Sequence, residues 1–321
     1  MKKTMKYLLP CAAALMLAAC QHKELCYDHS HVVSLNVVFD WSEAPDATPA
    51  SMSLYLFPKG EGEALRYEFT DRSGGTIRVP VGSYDALCLN SDTEGVVYRN
   101  TERHGTFEVS TRTTDLLASS VTGLGVRSDN APRAEGTEGE RIALTADRLW
   151  SGSEEDITLT ESEPEPELTL HPVVSVRTYR VEITDAENLK YVSGLSATLS
   201  SMSGGILPCS AALSAEQVTH PFELRVSADK TSVEGEFLAF GHCPDTQSRH
   251  TLIVYAVLSD GNKYAYTFDA DEVTSQLHED PDAYEVTLRL SGLPLPEPIV
   301  NGGGFQPSVD EWKDVNIGIE M

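Results

Sequence analysis

Val33, Leu35, Val37, Phe39 and Trp41 put an apolar side chain at every second position. Successive side chains of an extended chain point to opposite faces, so this spacing makes one apolar face on a strand and none on a helix. The spacing returns at Met52, Leu54 and Leu56 within 51–57, and short apolar runs follow at 65–69, 76–81 and 84–89. Turn residues separate them, as in Asp71-Arg72-Ser73-Gly74-Gly75 and Val81-Gly82-Ser83. Two more strands are predicted at 106–110 and 142–145. No long helical period precedes residue 165. Short strands divided by turns predict a β-sandwich rather than βαβ units.

The pattern pauses at Glu161-Ser162-Glu163-Pro164-Glu165-Pro166-Glu167. Prolines remove donors and the glutamates repel one another, so 161–167 is predicted as a linker. An acidic cation site is the weaker reading, because no glycine-containing loop or aspartate ladder gathers those carboxylates. Strands resume at 167–170, 173–184, 195–199, 222–227, 235–239, 251–259, 264–269 and 284–290. Ser259-Asp260-Gly261-Asn262 is a hairpin signal between two of them. One or two helical turns are predicted at 270–277. The expected order is a tether at 20–30, one sandwich at 31–160, the linker, and a second sandwich at 168–293. A Pro- and Gly-rich bridge and a strand-like tail fill 294–321. Phe305, Val309, Trp312, Val315 and Ile317 mark a candidate docking strand, which would lie on its own second sandwich or on a partner.

Lys2, Lys3 and Lys6 precede an apolar stretch from Leu8 to Ala19, which is too short to span a bilayer as a helix. It ends in Leu17-Ala18-Ala19-Cys20, small residues before a cysteine, as a lipoprotein signal peptidase requires. Residues 1–19 are thus expected to be removed and Cys20 acylated, holding the chain at the outer membrane. The formal charge is −25, or −28 without residues 1–19, which carry three lysines and no acid. Such a chain is repelled by nucleic acid and anionic headgroups, so its domains should stand off the bilayer. Cys11 leaves with the signal. Cys26, Cys88, Cys209 and Cys243 remain besides Cys20, and an exported chain can pair them in three ways. Two fall in each half, so Cys26–Cys88 and Cys209–Cys243 are the expected disulfides, each worth roughly 4 kcal/mol of loop entropy. Buried free thiols are the alternative, and Cys88 within Ala86-Leu87-Cys88-Leu89 suits it.

Catalytic signatures are missing. There is no Gly-x-Ser-x-Gly, His-Glu-x-x-His, phosphate loop or dinucleotide fingerprint. Cys26-Tyr27-Asp28-His29-Ser30-His31 lacks a second ligand pair at zinc spacing. His242-Cys243-Pro244-Asp245 offers a thiol with no locatable base. Asp269-Ala270-Asp271-Glu272 lacks the glycine of a calcium loop and reads as a helix N-terminus. Neither enzymatic activity, a metal nor a cofactor is expected. The tyrosines on probable strands, Tyr55, Tyr67, Tyr84, Tyr98, Tyr179, Tyr255, Tyr264 and Tyr266, are predicted to be cross-strand partners. Exposed on one face, they would instead suit a surface glycan-binding lipoprotein.

Several segments together resemble a known group. They are 20–31, Val38-Phe39-Asp40-Trp41, Ser51-Met52-Ser53-Leu54-Tyr55-Leu56-Phe57-Pro58, Arg66-Tyr67-Glu68-Phe69 and Leu87-Cys88-Leu89-Asn90-Ser91-Asp92-Thr93-Glu94. Leu199-Ser200-Ser201-Met202-Ser203-Gly204-Gly205, Gly302-Gly303-Gly304-Phe305 and Val309-Asp310-Glu311-Trp312-Lys313-Asp314-Val315 extend the likeness into the second half. They resemble Bacteroidales lipoproteins carrying a domain of unknown function, related to the FimB-like and Mfa-like fimbrial anchor proteins. The resemblance implies an all-β chain of two tandem transthyretin-like (Greek-key) sandwiches. It also implies a surface-exposed lipoprotein that anchors or helps assemble a fimbria, with pilin subunits as partners and strand exchange as the mode of contact.

Overall fold

The computed structural model describes residues 31–163, 165–243, 249–298 and 311–318. The first half forms β1 (Val32–Phe39), β2 (Met52–Pro58), β3 (Leu65–Phe69), β4 (Gly74–Pro80), β5 (Gly82–Asn90), β6 (Val96–Arg99), β7 (Glu108–Thr111), β8 (Arg141–Ile142) and β9 (Trp150–Leu159). The rest forms β10 (Glu167–Leu170), β11 (Val173–Val174), β12 (Arg177–Ala186), β13 (Val192–Ser203), β14 (Gly205–Leu207), β15 (Ala212–Leu213), β16 (Gln217–Glu223), β17 (Arg225–Val226), β18 (Val233–Ala239), β19 (Leu252–Leu258), β20 (Lys263–Phe268), β21 (Glu285–Leu293) and β22 (Trp312–Ile317). Two short helices, α1 (Ser119–Thr122) and α2 (Ala270–Leu277), interrupt them.

The first sandwich stacks the sheet β10-β1-β4 on the sheet β11-β9-β5-β2-β3. Leu35, Val37 and Phe39 of β1 meet Leu54, Leu56, Ala86 and Cys88 in one core. β1 buries alternate residues, as its period-two sequence requires. β2 and β5 instead bury both faces. Their outer side chains Tyr55, Phe57, Leu87 and Leu89 meet Phe107, Leu149, Ile206 and Phe240 in a second cluster. A small sheet, β15-β14-β7-β6, closes this cluster and joins the two halves of the chain.

The predicted linker does not mark the exit from the first sandwich. After β9 the chain comes back to the same sandwich, and β10 adds to β1 in parallel, with Asn36 opposite Glu167. The Asn36 amide donates to the Pro166 carbonyl at 2.9 Å, and Leu168 and Leu170 enter the first core. β11 then pairs with the start of β9. The physical reason is that prolines and repelling glutamates oppose pairing only where they stand, while the apolar face of 168–170 completes the open edge of β1.

The second sandwich stacks β17-β18-β12-β21 on β22-β20-β19-β13-β16-β8 around a core that includes Tyr179, Val181, Leu199, Val254, Leu288 and Leu290. The strand expected at 142–145 belongs partly here, since β8 pairs in parallel with β16. Between β7 and β8 the chain crosses the outer face of the large sheet. Leu116, Leu117, Val121, Ala131 and Ala134 cover Ile253, Tyr255, Val257 and Ala265 there. Gly194 permits the closest approach, for a Cβ at this position would stand 2.6 Å from the Ser120 carbonyl oxygen. At the other end, the Glu140 carboxylate accepts from the Ser201 amide at 3.1 Å and from the Thr219 hydroxyl at 2.6 Å. This holds the β13 bulge, where Ser201 has φ +60°.

Candidate functional site

The tail residues that the sequence marks fall in and around β22. Trp312, Val315 and Ile317 lie in this strand, whereas Phe305, Val309 and the anchor cysteine Cys20 lie outside the described residues. β22 runs parallel to β20 at the edge of the six-stranded sheet, with Lys263 opposite Trp312 and Phe268 opposite Ile317. Parallel pairing follows from the route, since the chain turns through α2 and β21 before it returns to the same edge.

Both faces of this strand are used. Val315 and Ile317 lie against the core of the second sandwich, and Trp312 lies against the outer cluster. The Trp312 ring meets the Tyr255 ring edge-on, with centroids 5.3 Å apart. Lys313 projects to the inner side, where its Nζ stands 3.2 Å from both the Asn262 side-chain oxygen and the Tyr264 hydroxyl. It also lies 4.9 Å from the centre of the Tyr264 ring. Trp312, Val315 and Ile317 nevertheless remain half-buried, and Lys313, Asp314 and Asn316 are exposed. The strand therefore covers an edge without entering the interior fully. Such an edge would template pairing with another chain if β22 left it.

Cys88, Cys209 and Cys243 are free thiols. The expected Cys209–Cys243 disulfide is therefore not made, and Cys26, the expected partner of Cys88, lies outside the described residues. The two thiols of the second half occupy different surroundings. Cys209 packs on the cluster beneath the small sheet, whereas Cys243 is buried with its sulfur 4.0 Å from the Ala215 carbonyl. Burial pushes the Cys88 and Cys209 thiols up to about 12, which leaves them protonated and slow to exchange.

The tyrosines do not form an exposed platform. Tyr55, Tyr84, Tyr179, Tyr255 and Tyr266 are buried, Tyr67, Tyr98 and Tyr264 are half-buried against the cores, and among the described residues Tyr284 is the one exposed aromatic. Asp269 caps α2 by accepting from the Asp271 and Glu272 amides at 2.9 and 3.0 Å, as a helix N-terminus requires. No helix among the described residues is long and apolar enough to cross a membrane.

β6, β9, β14 and β15 have no counterpart among the strands expected from sequence. β9 carries Ser153-Glu154-Glu155-Asp156 along its solvent side and buries only Trp150, Ser151, Gly152 and Leu159. Its acids interrupt any apolar alternation, whereas Gly152 marks a close contact: a Cβ there would lie 2.9 Å from the His171 carbonyl oxygen.

Comparisons with known proteins agree with this architecture. The family model described as a domain of unknown function, DUF5119, matches residues 19–223. A Bacteroides ovatus protein named as a fimbrium anchoring subunit, Fim4B, is 24% identical over 347 aligned positions covering 95% of each chain. Among solved structures, a Bacteroides ovatus protein described as an adhesin superposes with a TM-score of 0.58 at 20% identity, over 85% of this chain and 95% of its own. A Bacteroides thetaiotaomicron protein described as polysaccharide-binding gives a TM-score of 0.50 at 9% identity, over 81% of this chain and 90% of its own.

Proposed function

The chain belongs to the DUF5119 family, and from that premise we propose that it is a non-enzymatic lipoprotein that anchors a fimbria, or assists its assembly, at the bacterial surface. The carrying observation is the match, over 95% of each chain, to a relative named as a fimbrium anchoring subunit. In this reading residues 1–19 are cleaved and acyl chains on Cys20 hold the protein in the outer membrane, facing outward. The acidic sandwiches stand away from the lipid.

Pilin subunits are the partners. β22 supports strand exchange as the mode of contact, because it is a half-buried edge strand that follows a Gly-rich segment, Gly302-Gly303-Gly304. Glycan capture is the less favoured reading, since among the described residues the strand aromatics are spent on the cores.

The test is removal of the chain from its own organism. Fimbriae should then appear in the culture medium and return to the cells when the chain is restored. Fimbriae of normal number and length still fixed to cells lacking the chain would overturn the reading.

A further inference from the structure

Three histidines far apart in sequence meet at one end of the second sandwich. His242 follows β18, His250 precedes β19, and His278 caps the C-terminus of α2. Their ring centroids are 4.7 Å apart for His242 and His278, 5.1 Å for His250 and His278, and 5.9 Å for His242 and His250. His250 is wholly buried and bonded to α2 twice. Its amide donates to the Thr274 hydroxyl at 2.9 Å, and its Nε2 is hydrogen-bonded to His278 Nε2 at 3.1 Å.

The hydrogen bonds fix where the protons stand. His250 Nδ1 lies 3.1 Å from the Ser200 carbonyl oxygen, which can only accept, so Nδ1 carries a hydrogen. In the neutral ring Nε2 is then the acceptor, and His278 Nε2 donates to it. One hydrogen between the two Nε2 atoms makes a bond, whereas a hydrogen on each sets two donors against one another. His242 Nδ1 is buried without a hydrogen-bond partner among the described residues. A proton added there would be a buried charge with no acceptor.

The groups around the rings oppose positive charge as well. From β12, Arg177 acts on His242, and the imidazoles act on one another. Burial holds the Tyr179 hydroxyl, near the His242 backbone, in its neutral form. On α2, the Asp271 carboxylate is taken by Arg249 at 2.7 Å, Glu272 stands in the first turn, and Glu279 beyond the helix is exposed. Burial and the neighbouring imidazoles push His242 and His250 down to about 4, from the ordinary 6.5, so both rings are neutral near pH 7.

We propose that His242, His250 and His278 form an acid-sensitive latch, which holds α2 against the second sandwich near neutral pH and releases it when the rings become charged. Release withdraws Val273 and Leu277 from the core against which Val315 and Ile317 of β22 also pack. α2 leads directly out of β20, whose last residue, Phe268, stands opposite Ile317. Acid therefore loosens the edge that β22 covers. This consequence for strand exchange rests on the proposed function, whereas the latch itself does not.

Hydrogen exchange of the full chain, purified in detergent, tests the latch on the protein alone. Protection at 270–278, corrected for the intrinsic rate at each pH, should fall at least about tenfold from pH 7 to pH 4.5, while β1, β2 and β5 keep theirs. In the double variant His242→Asn/His250→Gln the acid loss should shrink to less than about twofold. Unchanged protection in the unaltered chain, or an equal loss in the variant, overturns the proposal. Should the variant fail to fold, the unaltered chain decides. The slope of the logarithm of the α2 opening constant against pH counts the protons taken up on opening, and about one to two are expected between pH 6 and pH 4.5. A slope below one contradicts the latch.

Discussion

Trp312 rests edge-on against Tyr255, with ring planes 78° apart, and so fixes the last described strand to the outer face of the second sandwich. Tyr255 is itself immobilised, because its hydroxyl donates to the Pro132 carbonyl at 2.5 Å. The tail, the β7–β8 crossover and the large sheet thus meet at one aromatic contact.

Trp312→Ala should cost about 1–2 kcal/mol, less than a fully buried tryptophan because the ring is only half covered. The loss should appear as a lower urea midpoint with an unchanged slope. Deleting residues 311–321 should leave both sandwiches folded, since β20 keeps β19 as a neighbour, but should impair fimbrial attachment. Unchanged fimbriae with unchanged folding would remove the tail from the mechanism.

The alternation in β1 and the turn residues around 71–75 made the sandwich class legible from sequence. They act through local rules of side-chain direction and backbone φ that need no tertiary information. Which sheet each strand joins was not legible. β8 pairs with β16, and β10 with β1, across sequence separations that no local pattern encodes. Of the candidate site, Val315 and Ile317 could be read as one face of a strand from their spacing of two, whereas Trp312, three residues before Val315, falls on the other face. Their partner β20 could not, because the choice between an edge of the same chain and a partner's edge depends on what that edge already holds.

His220 makes stability depend on acidity. Burial holds it at about 4, below the ordinary 6.5, while its Nδ1 lies 2.9 Å from the Ala143 carbonyl. The unfolded chain takes up this proton first, so stability is retained above pH 6.5 and falls as pH drops from there toward 4. The loss for this one group approaches about 3 kcal/mol. His220→Asn should flatten the slope of unfolding free energy across that window. An equal slope in both proteins would show that another group carries it.

Gly194→Ala should push the Ser120 backbone off β13, since the added methyl group meets the carbonyl oxygen at 2.6 Å and Leu124 Cδ1 at 2.8 Å. A cost of about 1–3 kcal/mol is expected. Faster amide exchange should be confined to the crossover and the strand beneath it, with the first sandwich unaffected.

Thiol labelling in denaturant, without reductant, should modify Cys88, Cys209 and Cys243. In the native protein Cys88 should resist the reagent, because it is wholly buried in the first core. A peptide linking Cys209 to Cys243 before reduction would contradict the separate packing of the two sulfurs.

The anchoring role is tested most directly by Cys20→Ala expressed at native level, followed by separation of outer membrane from medium. The unaltered protein should sediment with the membrane. The variant should leave the cells, carrying any attached fimbriae into the medium. Retention of the variant and its fimbriae in the membrane fraction would contradict lipid anchoring at Cys20.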